Sequence, residues 1–98
     1  MKTFFGGTFI DKLKLREARI YNPIKLEYYK IENEANNKEE YGIEVIKTEY
    51  TQEEILVENK VLEKVTDDEK IVNKILDVFK RNEVTPISAK DVIHELLY

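Results

Sequence analysis

His94 is the single histidine of this 98-residue chain and therefore the first residue to consider for acid–base chemistry. At helical spacing it falls beside Lys90 and Asp91 on the polar side of the last amphipathic segment. General acid–base catalysis needs a partner held within hydrogen-bond reach, and no recognised spacing in the sequence supplies one. We interpret His94 as a surface histidine, with no catalytic or metal-binding role.

Three acidic clusters carry the oxygen ligands that a hard cation prefers, namely Glu39-Glu40, Glu53-Glu54 and the run Asp67-Asp68-Glu69. A calcium loop needs such ligands at alternating positions around a glycine turn, and none of the three has that pattern. We interpret the first two as solvated turns and the third as the start of a helix. The sequence predicts no metal site.

Other chemistry is also missing from the sequence. Gly6-Gly7 is the only glycine pair, and it has neither phosphate-loop nor dinucleotide-binding spacing. The absence of cysteine excludes disulfides and thiolate metal sites, and is typical of a protein of the reducing cytoplasm. The apolar start, residues 4–10, is too short to span a membrane or to act as a signal peptide. We predict a cytoplasmic protein that is not an enzyme, uses no cofactor and makes no contact with a membrane.

Two amphipathic helices are predicted in the last third of the chain. Thr66 and Glu69 have the spacing of a capping box, which predicts that the first helix begins there. The second helix has Ser88 as its predicted N-cap, with Ile87 and Val92 placed as a hydrophobic staple. The connector contains Pro86, which cannot continue a helix.

Upstream of the helices the hydrophobic period is two, which indicates strands. We predict an antiparallel meander over about residues 24–65, with three main strands and a fourth possible. A bulge is expected near Tyr28-Tyr29, and the polar cluster 33–40 is predicted as a hairpin loop. Asn59 shares the parity of the apolar residues around it, so residues 54–65 form either one strand or a hairpin.

Residues 1–22 are predicted as an amino-terminal arm, and residues 23–98 as one domain. The arm is ordered if it pairs or packs, and disordered if it does not. Residues 1–30 hold seven basic and three acidic residues, whereas the chain as a whole has a net charge of −4. A basic third of this kind attracts phosphate groups or neutralises the acidic body. Nucleic-acid binding is therefore an alternative function, through Lys12, Lys14, Arg16 and Arg19.

The helix pair is similar to the first two helices of a helix-turn-helix, but the sequence ends before a recognition helix. The second helix would also offer Asp91 and Glu95 to phosphates, which disfavours nucleic-acid binding by this pair. Tyrosine is the more informative residue, because it is favoured both in strands and at interfaces. The six tyrosines are Tyr21, Tyr28, Tyr29, Tyr41, Tyr50 and Tyr98.

The strand YGIEVIK at 41–47, the acidic helix start and the V-T-P-I connector before a D-V-I helix resemble a small uncharacterised family of low-GC Gram-positive bacteria. The resemblance covers about residues 24–97. It implies the same fold and lends no catalytic, cofactor-binding or metal-binding residues.

Together these patterns predict an α+β protein, with an antiparallel meander of three to four strands followed by two helices on one sheet face. The other face is left open. We expect a small regulatory or adaptor protein that acts by binding another protein or a second copy of itself.

Overall fold

The computed structural model describes residues 1–10 and 22–98. These residues form one antiparallel sheet in the order β1-β2-β3-β4, followed by two helices, which confirms the predicted α+β architecture. The strands are β1 (Lys2–Ile10), β2 (Ile24–Ala35), β3 (Lys38–Tyr50) and β4 (Ile55–Thr66), and the helices are α1 (Glu69–Arg81) and α2 (Ala89–Leu97).

The first strand comes from the segment predicted as an arm. Residues 2–10 pair with β2 and are therefore ordered, while residues 11–21 lie outside the described part of the chain. The bulge predicted near Tyr28-Tyr29 of β2 is wrong, because the register shift at this level lies in β1, where Phe5 is the extra residue. The ladder between β2 and β3 is unbroken at that level.

The turn between β2 and β3 is much tighter than the predicted loop over residues 33–40. Only Asn36 and Asn37 lie between the strands, with φ values of 53° and 62°. Two successive residues with positive φ are typical of a type I′ hairpin, and asparagine tolerates that conformation. The strands therefore continue through most of the polar cluster.

Residues 55–66 form the single strand β4, so the alternative of a hairpin within residues 54–65 is wrong. The β3–β4 ladder is regular from Tyr50 to Ile43 and shifts register beside Gly42. A Cβ atom at Gly42 would overlap the carbonyl oxygens of Leu62 and Glu63. The close approach of the two backbones explains why glycine occupies this position.

The core lies between the two helices and one face of the sheet. Tyr28 is fully buried there, donates a hydrogen bond of 2.8 Å to the carbonyl of Val84, and packs edge-on against Phe79. Every second residue of β2 and β3 points towards the helices, as the period of two predicts. The fully buried large side chains are Leu26, Tyr28, Ile43, Val45, Val72, Leu76 and Phe79.

The first helix begins later than its predicted capping box. Asp68, not Thr66, is the N-cap, and its carboxylate accepts a hydrogen bond of 2.9 Å from the amide of Lys70. Thr66 instead accepts from the amide of Asp68, which holds the turn that precedes the helix.

The start of the second helix also differs in detail. Ser88 is the N-cap, as predicted, but its side chain makes no capping hydrogen bond and contacts Thr85. The predicted staple is wrong, because Ile87 is 84% exposed. Neither described helix is long and apolar enough to cross a membrane.

Candidate functional site: the open face of the sheet

The face of the sheet that the helices leave uncovered is the candidate site. Paired residues of antiparallel strands point to the same side, so the register assigns each side chain to a face. The register places Phe9 opposite Lys25, Lys25 opposite Thr48, and Thr48 opposite Val57. These side chains therefore share one face of the sheet, on the side away from the helices. We call this surface the open face. Along the strands, rows of open-face residues alternate with the rows that contain Leu26 and Val45, whose side chains point to the helices.

Apolar side chains cluster at the end of the open face where β1 finishes and β4 begins. Phe9 is 59% exposed, and its ring lies 6.3 Å from the ring of Tyr50. Tyr50 pairs with Ile55, which is 63% exposed, and the next open-face residue of β4 is Val57, at the same exposure. We call Phe9, Tyr50, Ile55 and Val57 the apolar patch. Exposed apolar clusters of this kind on small soluble proteins mark contact surfaces.

The middle of the open face carries a polar network around Glu44. This glutamate is only 8% exposed and accepts hydrogen bonds from Lys2 at 2.9 Å and Asn59 at 3.1 Å. The three residues come from β1, β3 and β4, so the network spans the width of the sheet.

Glu44 remains ionised within this network. Burial alone would raise the pKa of its carboxyl, but the hydrogen bonds from Lys2 and Asn59 and the charge of Lys2 outweigh burial and lower it. The hydrogen bond to Glu44 and the charge of Glu44 in turn raise the pKa of Lys2. Asn59 shares the parity of the apolar residues of β4, and its hydrogen bond to Glu44 explains why a polar residue occupies this position.

Tyr29 joins the network to the aromatic residues of β1. Its hydroxyl donates a hydrogen bond of 2.9 Å to Glu27, and this bond is the main reason that its pKa is raised. Its ring contacts Phe4 edge-on at 5.5 Å, and the ammonium of Lys2 lies 4.8 Å from the ring centre. A cation is attracted to the face of an aromatic ring, and two aromatic rings favour an edge-to-face arrangement.

The charges of this region are largely matched within the face. Lys2 is paired with Glu44, and Lys25 lies 3.6 Å from Glu27. These lysines belong to the basic third, whereas Lys12, Lys14, Arg16 and Arg19 lie outside the described residues. The nucleic-acid alternative thus rests on residues whose positions the structure does not describe.

Only two of the tyrosines whose positions are described face this surface, namely Tyr29 and Tyr50. Tyr28 and Tyr41 lie on the helix-covered face and are buried. The hydrogen bond from Tyr41 to Glu39 is the main reason that its pKa is raised to about 12. Tyr98 is exposed at the end of the second helix, and Tyr21 lies among the residues not described.

The residues first considered for chemistry are dispersed. His94 is exposed on α2, with its ring 5.2 Å from that of Tyr98. Glu53 and Glu54 lie in the β3–β4 turn, where their amides donate to the hydroxyl of Thr51. The structure does not bring these residues together.

Two residues of the other acidic clusters form ion pairs within the fold. Glu40 lies 3.8 Å from Lys64, and Glu69 lies 3.0 Å from Lys30. Within residues 1–10 and 22–98, no group of three histidine or carboxylate side chains is placed to hold a metal ion.

A second apolar depression, of about 320 Å³, lies between the two helices. Its lining is aliphatic except for Lys74, so it offers shape without groups for acid–base chemistry. The lining residues are Ile71, Lys74, Ile75, Val78, Leu96 and Leu97.

Sequence reasoning identified the open face but missed the residues that organise it. Parity correctly places Glu44 on the face opposite Tyr41, Ile43 and Val45. It does not find the partners of Glu44, because Lys2 is 42 residues away in the sequence. One feature of the sequence did indicate a polar site on this face, namely that Asn59 is a polar residue at the parity of its apolar neighbours.

Within residues 1–10 and 22–98, fold and site together define a small α+β protein whose sheet has one face covered by the helices and the other left uncovered. Residues 10–98 match the model of a family of unknown function, DUF6514, and the chain therefore belongs to that family. Neither the curated proteins nor the solved structures contain a match to this chain.

Proposed function

We propose that this chain is a small binding module that takes an apolar, uncharged surface of another protein on its open face. The observation that supports this proposal is the apolar patch, in which Phe9, Ile55 and Val57 remain largely exposed, although β2 and β3 between them pack their other face into the core. Solvating Phe9, Ile55 and Val57 is unfavourable, so covering them would contribute free energy to binding.

The charges around the patch support the choice of partner. Lys2 of β1 is paired with Glu44 of β3, and Lys25 is paired with Glu27 along β2. A charged partner would therefore have to compete with pairs that already exist. An apolar surface would not have to compete with these pairs.

A position-specific photo-cross-linker tests the proposal in the cells that make the protein. We expect p-benzoylphenylalanine at Phe9 to give a discrete adduct with another protein. The same residue at Asp77, on the exposed side of α1, is the matched control and should give none. Equal adducts at both positions, or none at Phe9, would contradict the proposal.

A substitution within the patch provides the second arm. Ile55→Lys adds a charge to an exposed position and should leave the fold intact, since Ile55 has no place in the core. We expect it to abolish the adduct at Phe9. An adduct that persists unchanged would show that the apolar patch is not the surface in contact.

A further inference from the structure

The two edges of the sheet differ in how open they are to another strand. Edge strands present unpaired backbone groups, and proteins commonly block them with bulges, charges or covering elements. On β1 the bulge at Phe5 interrupts the edge, and the side chain of Lys80 lies over Gly6. On β4 the ladder is regular from Ile55 to Leu62, and no further strand of the described residues covers its outer side.

The side chains of β4 are complementary to those of a second copy of β4 that runs antiparallel to it. We propose that two copies of this chain pair antiparallel through β4, about a two-fold axis at Asn59, to form one continuous eight-stranded sheet. A two-fold axis perpendicular to the sheet places the open faces of the two copies on the same side of the combined sheet. Odd-numbered residues of β4 lie on the open face, so an odd-numbered residue of one copy must pair with an odd-numbered residue of the other.

With Asn59 at the axis, Glu58 of each copy lies opposite Lys60 of the other. Directly opposite side chains of antiparallel strands have Cβ atoms about 5 Å apart, close enough for charges to attract. The dimer would contain this pair twice. Sliding the register by one step in either direction places Glu58 opposite itself or Lys60 opposite itself, which is repulsive in both cases.

The apolar residues agree with the same register. Val57 lies opposite Val61 of the second copy on the open face, and Leu56 lies opposite Leu62 on the helix side. Leu56 is 42% exposed, whereas Leu62 packs against the core. The outermost pair, Ile55 with Glu63, is the one mismatch, and it falls where the bulge beside Gly42 begins.

The start of the second helix lies beside the same axis. Pro86 and Ile87 line a shallow groove along Glu58, Asn59 and Lys60, and Ile87 is 84% exposed. Lys90 and Asp91 line it too, and their opposite charges add no net charge at the axis. Ile87 would therefore meet its counterpart in the second copy, which accounts for a large apolar side chain left in solvent.

Charge reversal tests the register. We expect sedimentation of the full chain to show a concentration-dependent dimer, which Glu58→Lys and Lys60→Glu each weaken about tenfold or more, because two attractive pairs become repulsive. Mixing the two variants should restore the dimer, since position 58 of each variant then faces the opposite charge at position 60 of the other. The double variant carrying both changes should also dimerise.

Mixing the two variants distinguishes an effect on dimer formation from an effect on the folding of each monomer. Glu58 also pairs with Lys47 within its own chain, so its reversal affects the monomer as well, but that effect is unchanged by mixing. A wild-type monomer at all concentrations, reversals without effect, or a mixture that stays monomeric would each overturn the proposal.

Hydrogen exchange of the wild-type chain provides a reading that needs no variant. Every second amide of residues 55–62, namely those that point away from β3, should become protected as concentration rises, and protection elsewhere or nowhere would overturn the proposal. This inference does not depend on the open face binding another protein. Ile55→Lys should not weaken the dimer, because the new lysine lies opposite Glu63 of the second copy, but it should remove the cross-link at Phe9, so the two proposals fail separately.

Discussion

The two faces of one sheet have opposite relations to solvent, although the same strands build both. On the helix-covered face, successive inward residues such as Leu26, Tyr28, Ile43 and Val45 are fully buried. On the open face, one position along, the chain places charged pairs in the middle and exposed apolar residues at one end. Since a period of two separates the faces, one set of residues stabilises the fold, and the other set is available for the binding proposed above.

Truncating one phenylalanine on each face is the strongest test of this comparison. Phe79 is fully buried against Tyr28, so Phe79→Ala should lower the free energy of unfolding by about 3–5 kcal/mol. Phe9 is largely exposed, and Phe9→Ala should change it by only about 0.5 kcal/mol. Denaturant unfolding of both variants measures the difference. Similar losses at the two positions would mean that the open face is also core.

The fold was predictable from the sequence where one period dominates. β3 and α1 have uninterrupted apolar periods, and both are recognisable from the pattern alone. β1 is not separable from the rest of the arm, because Gly6-Gly7 and the bulge at Phe5 disrupt its alternation. The length of the turn at Asn36-Asn37 is overestimated, because asparagine is common in long loops as well as in tight turns.

The candidate site was predictable only in outline. Parity separates Tyr28 from Tyr29 and Tyr41 from Tyr50, but it does not say which tyrosines of the two strands share a face or which face the helices cover. The partners of Glu44 depend on which strands become neighbours, and that is a property of the whole sheet. Local spacing carries no such information.

Two glycines provide a smaller test of the backbone arrangement behind the comparison. At Gly42 a Cβ atom would overlap backbone carbonyls of β4, so Gly42→Ala should destabilise the protein by about 1–3 kcal/mol. At Gly6 a Cβ atom would meet the side chain of Lys80 at 3.1 Å, and that flexible chain could move aside. Gly6→Ala is thus the matched control, and thermal unfolding should show little change. A harmless Gly42→Ala would mean that β3 and β4 do not approach as closely as the register requires.

The smallest effect is expected at the polar network, and it should depend on pH. The pKa of Glu44 is lowered in the folded state, so the ionised carboxylate stabilises the fold above its ordinary pKa of about 4.5. That contribution is lost as the pH falls below this value and through the lowered pKa. Glu44→Gln should therefore be less stable than the wild type at neutral pH, and the difference should shrink as the solution becomes acidic.

Thermal unfolding of both proteins from neutral to acidic pH measures this dependence. Glu95→Gln, on the exposed side of α2, removes a carboxylate outside the network and should show no comparable change. Combining Lys2→Met with Glu44→Gln should cost less than the two single losses together, because both remove the same ion pair. Strict additivity, or a difference that does not depend on pH, would show that Glu44 does not organise the open face through its charge.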